Sequence, residues 1–164
     1  MNNLTSMGEC RDNTNKMTRM QANSSTQTKT IHKLHDLSQI HMNFTVPFIQ
    51  QNSPHACFIL SDSALESMLK ALYMKENNSV FPPHSLSLED VVELTVLESG
   101  PKLDTMMFIH SMHFLASLID ISPIEQMETA YLKRLMQRVD DVLIQLSVRV
   151  TSHPSEQYRS IFLK

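Results

Sequence analysis

Glycine is the residue that most limits what this chain can fold into, because only Gly8 and Gly100 occur among its 164 residues. Sandwiches and barrels need many tight turns, and such turns consume glycine. Tryptophan is absent, whereas methionine occurs twelve times. The composition therefore favours an all-α fold. The same scarcity argues against a loop that cradles phosphate through backbone amides, since neither GxxxxGK[ST] nor GxGxxG occurs.

Composition along the chain predicts three parts. Residues 1–27 are rich in Asn, Thr, Ser and Gln and lack an apolar period, which predicts a disordered polar leader. Residues 28–150 carry helical apolar patterns and predict one bundle domain, and residues 151–164 form a short C-terminal tail. Apolar runs such as residues 106–109 are far shorter than the roughly 20 residues that cross a bilayer. Because Cys10 and Cys57 form no bridge pattern, we expect a cytoplasmic protein without membrane contact.

The first two helices are predicted from their apolar spacing and their ends. Steps of three or four residues place one apolar row along a broad side of the first helix: Ile31, Leu34, Leu37, Ile40, Phe44 and Phe48. Pro47 is expected to kink or end that helix. The second helix starts at Ser53-Pro54, and its broadly apolar sequence predicts the most buried element.

The later helices are predicted by the same signals. A capping box at Ser87-Leu88-Glu89-Asp90 opens a third helix, which is expected to stop at Gly100-Pro101. A fourth runs from about Leu103 to Ile119, with one row made of Met107, His110, Phe114 and Leu118. A fifth opens at Ser122-Pro123 and reaches Val150, and its apolar row is Leu132, Leu135, Val139, Val142 and Leu146. The expected architecture is an antiparallel bundle of four or five helices, followed by a docked tail with Tyr158, Ile161 and Phe162.

Histidines suggest a metal-binding alternative. The HxxH pairs His32/His35 and His110/His113 would each place two imidazoles on one side of a helix, and such ligands across a bundle hold zinc, nickel or iron. We take His110 and His113 as the candidate ligands. Neither HExxH nor ExxH occurs, so the simpler interpretation is that His110 packs beside methionines and the other histidines face water. No cofactor is expected.

Cys57 lies close in sequence to His55 and Asp62, which together have the composition of a catalytic triad. Residues two apart on a helix point to different sides, so Cys57 and His55 are poorly placed to work as a pair. A buried structural thiol is the better interpretation.

Charge is distributed unevenly around a formal net charge of −3. Residues 85–128 hold eight acids and one lysine, whereas residues 132–164 hold six basic residues and three acids. Arg134, Arg138 and Arg149 share a stripe of the last helix, and such a stripe is a candidate contact for RNA phosphates. A solvated helix face is the simpler interpretation.

Three short stretches resemble one known family. They are residues 64–73 (ALESMLKALY), the turn His84-Ser85-Leu86, and residues 91–94 (VVEL). They are similar to the HEPN family of small helical bundles, whose second helix reads like AxxxLKALL and whose next helix is opened by an HDLxxLL turn. His84 matches the histidine of that turn, but Ser85 stands where the family has aspartate. The resemblance covers residues 30–150 in element order, and it implies dimerisation and binding of RNA or nucleotides.

The resemblance also implies that the chain is either a ribonuclease toxin or the partner of a small nucleotidyltransferase. Ribonuclease members share an Arg-x(4–6)-His motif, and the nearest arrangement here, Arg149 and His153, has only three intervening residues. We therefore expect a non-catalytic binding or regulatory protein whose partner is itself, another protein or RNA. An unpaired apolar stripe on the first or last helix would be the pairing surface. A HEPN-type ribonuclease toxin and a metal-binding bundle are the alternatives.

Overall fold

The computed structural model describes residues 9–97, 100–101 and 103–163. They form an all-α bundle, which confirms the predicted fold class. Its α-helices in chain order are α1 Glu9–Gln50, α2 Pro54–Glu76, α3 Leu88–Thr95, α4 Leu103–Ala116, α5 Ser122–Glu125 and α6 Thr129–Val150. A 3-10 helix, Pro154–Glu156, follows α6. Between α3 and α4, two short strands, β1 Val96–Leu97 and β2 Gly100–Pro101, pair antiparallel.

The core is built around α2, as its broadly apolar sequence predicts. This helix packs against α1 on one side and against α4 and α6 on others. Its fully buried side chains include Phe58, Leu65, Met68, Leu72 and Met74. The predicted apolar row of the last helix also faces this core, because four of its five members are buried and the fifth is half-buried.

Helix starts follow the sequence signals closely. α2 begins at Pro54, with Ser53 as its N-cap. The capping box of α3 is present, because the Ser87 hydroxyl accepts from the Asp90 amide at 3.1 Å and the Asp90 carboxylate accepts from the Ser87 amide at 2.7 Å. α1 continues through Pro47 and ends at Gln50, about one turn beyond the position where the proline would have ended it. α3 ends at Thr95, before the predicted Gly100-Pro101 stop, because the chain becomes extended at Val96.

The structure differs from the predicted leader, because α1 begins at Glu9 and not near residue 28. Residues 9–27 contain neither glycine nor proline, so nothing in the backbone interrupts the helix. The Thr28 hydroxyl bonds back to the Ser24 carbonyl at 2.9 Å, and Gln27 donates to the Met74 carbonyl near the end of α2 at 3.1 Å. Residues 1–8 of the predicted leader lie outside the described residues.

The predicted fifth helix is divided into α5 and α6. The Ile121 carbonyl accepts from Ile124 and Glu125 at 2.9 and 3.0 Å, which closes a single short turn. Glu128 is then extended, with φ −61° and ψ 135°, and the long helix restarts at Thr129. Proline at the first position thus opens a helix here without determining its length.

Candidate functional site

One side of α1 carries large apolar side chains that point away from the bundle. Leu37, Ile40 and Phe44 are 37%, 46% and 61% exposed. The predicted apolar row of this helix is therefore divided, because only Ile31 of that row is buried, while Leu34 and Phe48 are half-buried. The opposite side of the helix is buried, and it consists of Ile31, His35, Ser38, Met42, Thr45 and Ile49.

We call the exposed surface formed by Lys33, Asp36, Leu37, Ile40 and Phe44 the outer face of α1. Its three apolar members follow steps of three and four residues, so they form a continuous stripe along two turns. An amphipathic helix normally buries its more apolar side. Here the buried side holds a histidine, a serine and a threonine beside Ile31, Met42 and Ile49, so α1 carries apolar residues on both sides and only one of them is covered.

Hydrogen bonds to α6 and to the C-terminal tail hold α1 in this orientation. His35 Nε2 and the Ser147 hydroxyl are 3.0 Å apart, and that hydroxyl accepts from the Tyr158 amide at 2.7 Å. Gln39 forms a reciprocal pair with the backbone of Arg159, at 3.0 Å to its carbonyl and 2.7 Å from its amide. Turning α1 about its axis would break both connections.

Burial lowers the pKa of His35, although the carboxylate of Asp36, 3.5 Å from Nδ1, acts in the opposite direction. A histidine with a lowered pKa is held neutral near pH 7, and a neutral ring suits a buried hydrogen bond to a hydroxyl. This side chain is therefore part of the packing between α1 and α6.

Asp140 organises the tail from within α6. Its buried carboxylate accepts from the Tyr158 hydroxyl at 2.7 Å, from the Ile161 amide at 3.1 Å and from the Ser160 hydroxyl. Burial and this carboxylate both raise the pKa of Tyr158. Asp140 and Asp141 are adjacent acids in the sequence, but only Asp140 is buried. The signal that distinguishes them is spacing, since Asp140 lies four residues after the buried Met136.

A groove of about 220 Å³ lies between α2 and α4, and the loop before α3 closes one end. Its floor is apolar and consists of the buried Leu65, Leu69, Val91 and Ile109. Its rim is polar and carries Asp62 and Glu66 from α2, and His110 and His113 from α4. We call this feature the α2–α4 groove.

Asp62 and His113 connect the two walls of the α2–α4 groove. His113 Nδ1 is 3.1 Å from the Asp62 carboxylate, and His113 is largely exposed. Partial burial raises the pKa of Asp62, although the hydrogen bond from His113 acts against this effect. The carboxylate is thus a partly buried group whose two oxygens both lie close to His113 Nδ1.

The apolar row predicted for the fourth helix lies at the surface beside this groove. Met107 and Phe114 are 54% and 62% exposed and His110 is also exposed, whereas Ile109 and Met112 are buried. The interpretation that His110 packs among core methionines is therefore wrong. α4 is apolar on most sides, so spacing alone does not identify its inner face.

The metal candidates do not assemble into a ligand set. His110 and His113 share the rim of the groove, while His35 is buried against Ser147 on another part of the bundle. Across the part of the chain that the structure describes, no three His, Cys, Asp or Glu residues are grouped so that they could hold a metal ion. Nothing in the described region supports the metal-binding alternative.

Arg149 and His153 are not arranged as a ribonuclease pair. The Arg149 guanidinium donates to the Leu94 carbonyl and to the Glu76 carboxylate, so it ties α6 to α3 and α2. His153 is exposed and lines a hollow with His32 and Lys75, a hollow that Arg149 does not line. The arginine is therefore engaged in packing between helices.

The remaining candidates lie apart from one another. Arg138 stacks on the Phe108 ring, 5.0 Å from its centroid, and is 3.8 Å from the Asp104 carboxylate. Arg134 is exposed and bonds weakly to a carbonyl of its own helix. His84 is exposed in the loop before α3, where its carbonyl accepts from Lys70 Nζ at 3.0 Å. An arginine that is already stacked has less freedom to reach a phosphate.

Cys57 is a buried thiol, as the sequence indicates. Burial raises its pKa to about 12, so the reactive thiolate is scarce at neutral pH. Nε2 of His55 is buried without a hydrogen-bond partner in the described region, so the two side chains do not form an activated pair.

No family model, no curated protein and no solved structure matches this chain. Among the described residues, no helix is both long enough and apolar enough to cross a membrane. The fold and these surfaces define a helical bundle with two exposed apolar features, the outer face of α1 and the α2–α4 groove with its neighbouring row on α4.

Proposed function

We propose that this protein is a non-catalytic cytoplasmic binding protein that pairs with a second copy of itself through the outer face of α1. The observation that carries the proposal is the apolar stripe that α1 leaves exposed. Leu37, Ile40 and Phe44 point outward, while polar His35 and Ser38 are buried on the other side. In a monomer the stripe stays in contact with water.

Burial of this face would contribute an appreciable free energy. Full burial of a Leu, Ile or Phe side chain contributes about 1.5–3 kcal/mol relative to exposure. Scaled by the exposed fractions of Leu37, Ile40 and Phe44, the stripe forgoes about 2–4 kcal/mol in each copy. Two stripes that cover each other would recover about twice that amount, which is comparable with the lower end of the cost of association, so any dimer is expected to be weak and reversible.

Antiparallel pairing suits the order of side chains on this face. In a two-fold arrangement centred between residues 38 and 39, Leu37 of each copy lies opposite Ile40 of the other. The same arrangement sets Lys33 opposite Phe44, where the aliphatic stem covers the ring and the ammonium group meets its π-face. Apolar positions thus meet each other, and the charged residue at one end of the stripe meets the aromatic ring at the other.

A mixing experiment tests both the partner and the orientation. We expect Leu37→Lys and Ile40→Glu to be monomeric when each is alone, and to form a dimer when mixed, because Lys at 37 then faces Glu at 40. Parallel pairing would not bring these positions together. Sedimentation velocity at about 100 µM is suitable, since a dimer with a Kd of about 10 µM is then mostly populated.

The matched control is Val148→Glu, because Val148 is also a large exposed apolar residue but lies on α6. This variant should sediment like the wild type. A wild-type chain that is monomeric at this concentration would overturn the second copy as the partner. Dimers that persist in both single variants would overturn the outer face of α1 as the contact.

The other expectations rest on the sequence. The HEPN resemblance, and with it a nucleotidyltransferase partner, stays a prediction. RNA contact through Arg134, Arg138 and Arg149 also stays a prediction, and the internal contacts of Arg138 and Arg149 argue against it. The position of Arg149 likewise argues against the ribonuclease alternative.

A further inference from the structure

The α2–α4 groove has the form of a site for a third helix. Asp62 contacts His113 across it, and Leu65, Leu69 and Ile109 line its apolar floor. An apolar groove between two helices is a common binding site for an amphipathic helix, which inserts its side chains at positions i, i+3, i+4 and i+7.

Exposed apolar side chains extend the groove beyond its floor. Met107 and Phe114 lie on the α4 side, Ile59 on α2 is 44% exposed, and Leu88 at the start of α3 is about half exposed. These residues follow the helical spacing of the rim, since Ile59 precedes Asp62 by one turn and Phe114 follows His110 by one turn. The exposed apolar surface therefore extends beyond the residues that line the groove.

The charge around the groove is acidic. Asp62 and Glu66 stand on the α2 wall, and Glu89, Asp90 and Glu93 follow on α3. Lys70 on α2 is paired with Glu66 at 2.8 Å. The five carboxylates outnumber this one lysine, so a partner that approaches this side meets a net negative formal charge.

We propose that the α2–α4 groove binds a basic amphipathic helix of a partner protein. Its apolar side chains would fill the floor above Leu65, Leu69 and Ile109, and its lysines or arginines would meet Asp62 and Glu66 on the rim. This site is independent of the proposed pairing, because α1 packs against α2 and α6 whereas α4 packs against α2 and α3.

A designed peptide serves as the probe. It is a fluorescently labelled helix of about 18 residues with leucine at i, i+3, i+4 and i+7 and lysine elsewhere, and its matched control has glutamate in place of every lysine. We expect the Leu/Lys peptide to bind the full chain in an anisotropy titration at about 0.05 M salt. Binding should weaken at about 0.5 M salt, because charges at the rim are screened.

Variants locate the bound peptide. Glu66→Gln and the double variant Asp62→Asn/Glu66→Gln remove rim charge and should weaken binding about threefold and tenfold. Phe114→Ser should weaken it by a similar factor, whereas Val148→Ser on α6 should leave it unchanged. Equal binding of the Leu/Glu peptide would overturn the charge argument. Unchanged affinity in the Glu66→Gln and Phe114→Ser variants would overturn the groove as the site.

Discussion

The orientation of α1 predicts that truncation destabilises the fold to different extents at two residues that are only two positions apart. Met42 is fully buried, and truncation of a buried methionine costs about 2–5 kcal/mol. Phe44 is 61% exposed, so about four tenths of the cost of truncating a buried phenylalanine applies, or about 1–2 kcal/mol. Alanine has a higher helix propensity than phenylalanine, and this difference offsets about 0.5 kcal/mol of the cost. We therefore expect Met42→Ala to lower the free energy of unfolding by about 2–5 kcal/mol and Phe44→Ala by about 1 kcal/mol.

Urea unfolding followed by circular dichroism measures both values. It is best performed at two protein concentrations, because dimerisation stabilises the folded state by mass action. The effect of Met42→Ala should be the same at both concentrations, whereas the effect of Phe44→Ala should grow at the higher one. If Phe44→Ala costs more than Met42→Ala in the dilute sample, the helix is turned the other way and the reasoning on its outer face is refuted.

Three further predictions follow from buried groups. Because folding lowers the pKa of His35, the unfolded chain binds a proton at this residue before the folded chain does as the pH falls below about 6.5. The free energy of unfolding should therefore decrease between pH 7 and pH 5. The decrease should be less steep in the His35→Gln variant. Tyr158→Phe leaves the buried Asp140 carboxylate one donor short and should cost about 1.5–3 kcal/mol in urea unfolding, while an unchanged midpoint would contradict the role of that bond. In a Cys10→Ser background, Cys57 should react with a thiol reagent at pH 8 only after unfolding, and rapid reaction of the folded protein would contradict its burial.

The sequence predicted the elements that have a clear boundary signal or a clear apolar side. The capping box at Ser87 and proline at position 54 identify two helix starts, because the box pairs backbone amides locally and the proline has no amide that needs a partner. The row of α6 is unambiguous, because charged residues such as Arg134 and Asp141 leave only one side apolar. Such signals depend on nearby residues alone, and therefore a single sequence contains them.

The inner faces of α1 and α4 were not predictable in the same way. α1 offers apolar residues on two sides, with Met42 and Ile49 on one and Ile40 and Phe44 on the other. What selects between them is the bond from His35 to Ser147, a residue more than a hundred positions away. The α2–α4 groove has a comparable origin, because Asp62 and His113 come from helices that only the fold brings together. Spacing within one helix holds no information about such a partner.

The two proposed sites lie on different sides of α2, and this placement has a consequence for how they would work together. A two-fold pair that uses the outer face of α1 closes on itself, so it leaves the α2–α4 groove of each copy open. One dimer would then present two grooves for basic helices. A partner that carries two such helices on a linker of matching length would bind with an effective concentration set by that linker, and more tightly than either groove alone allows. Ile40→Glu should remove this gain while it leaves the affinity of a single groove unchanged, because Ile40 lies on α1 and outside the groove.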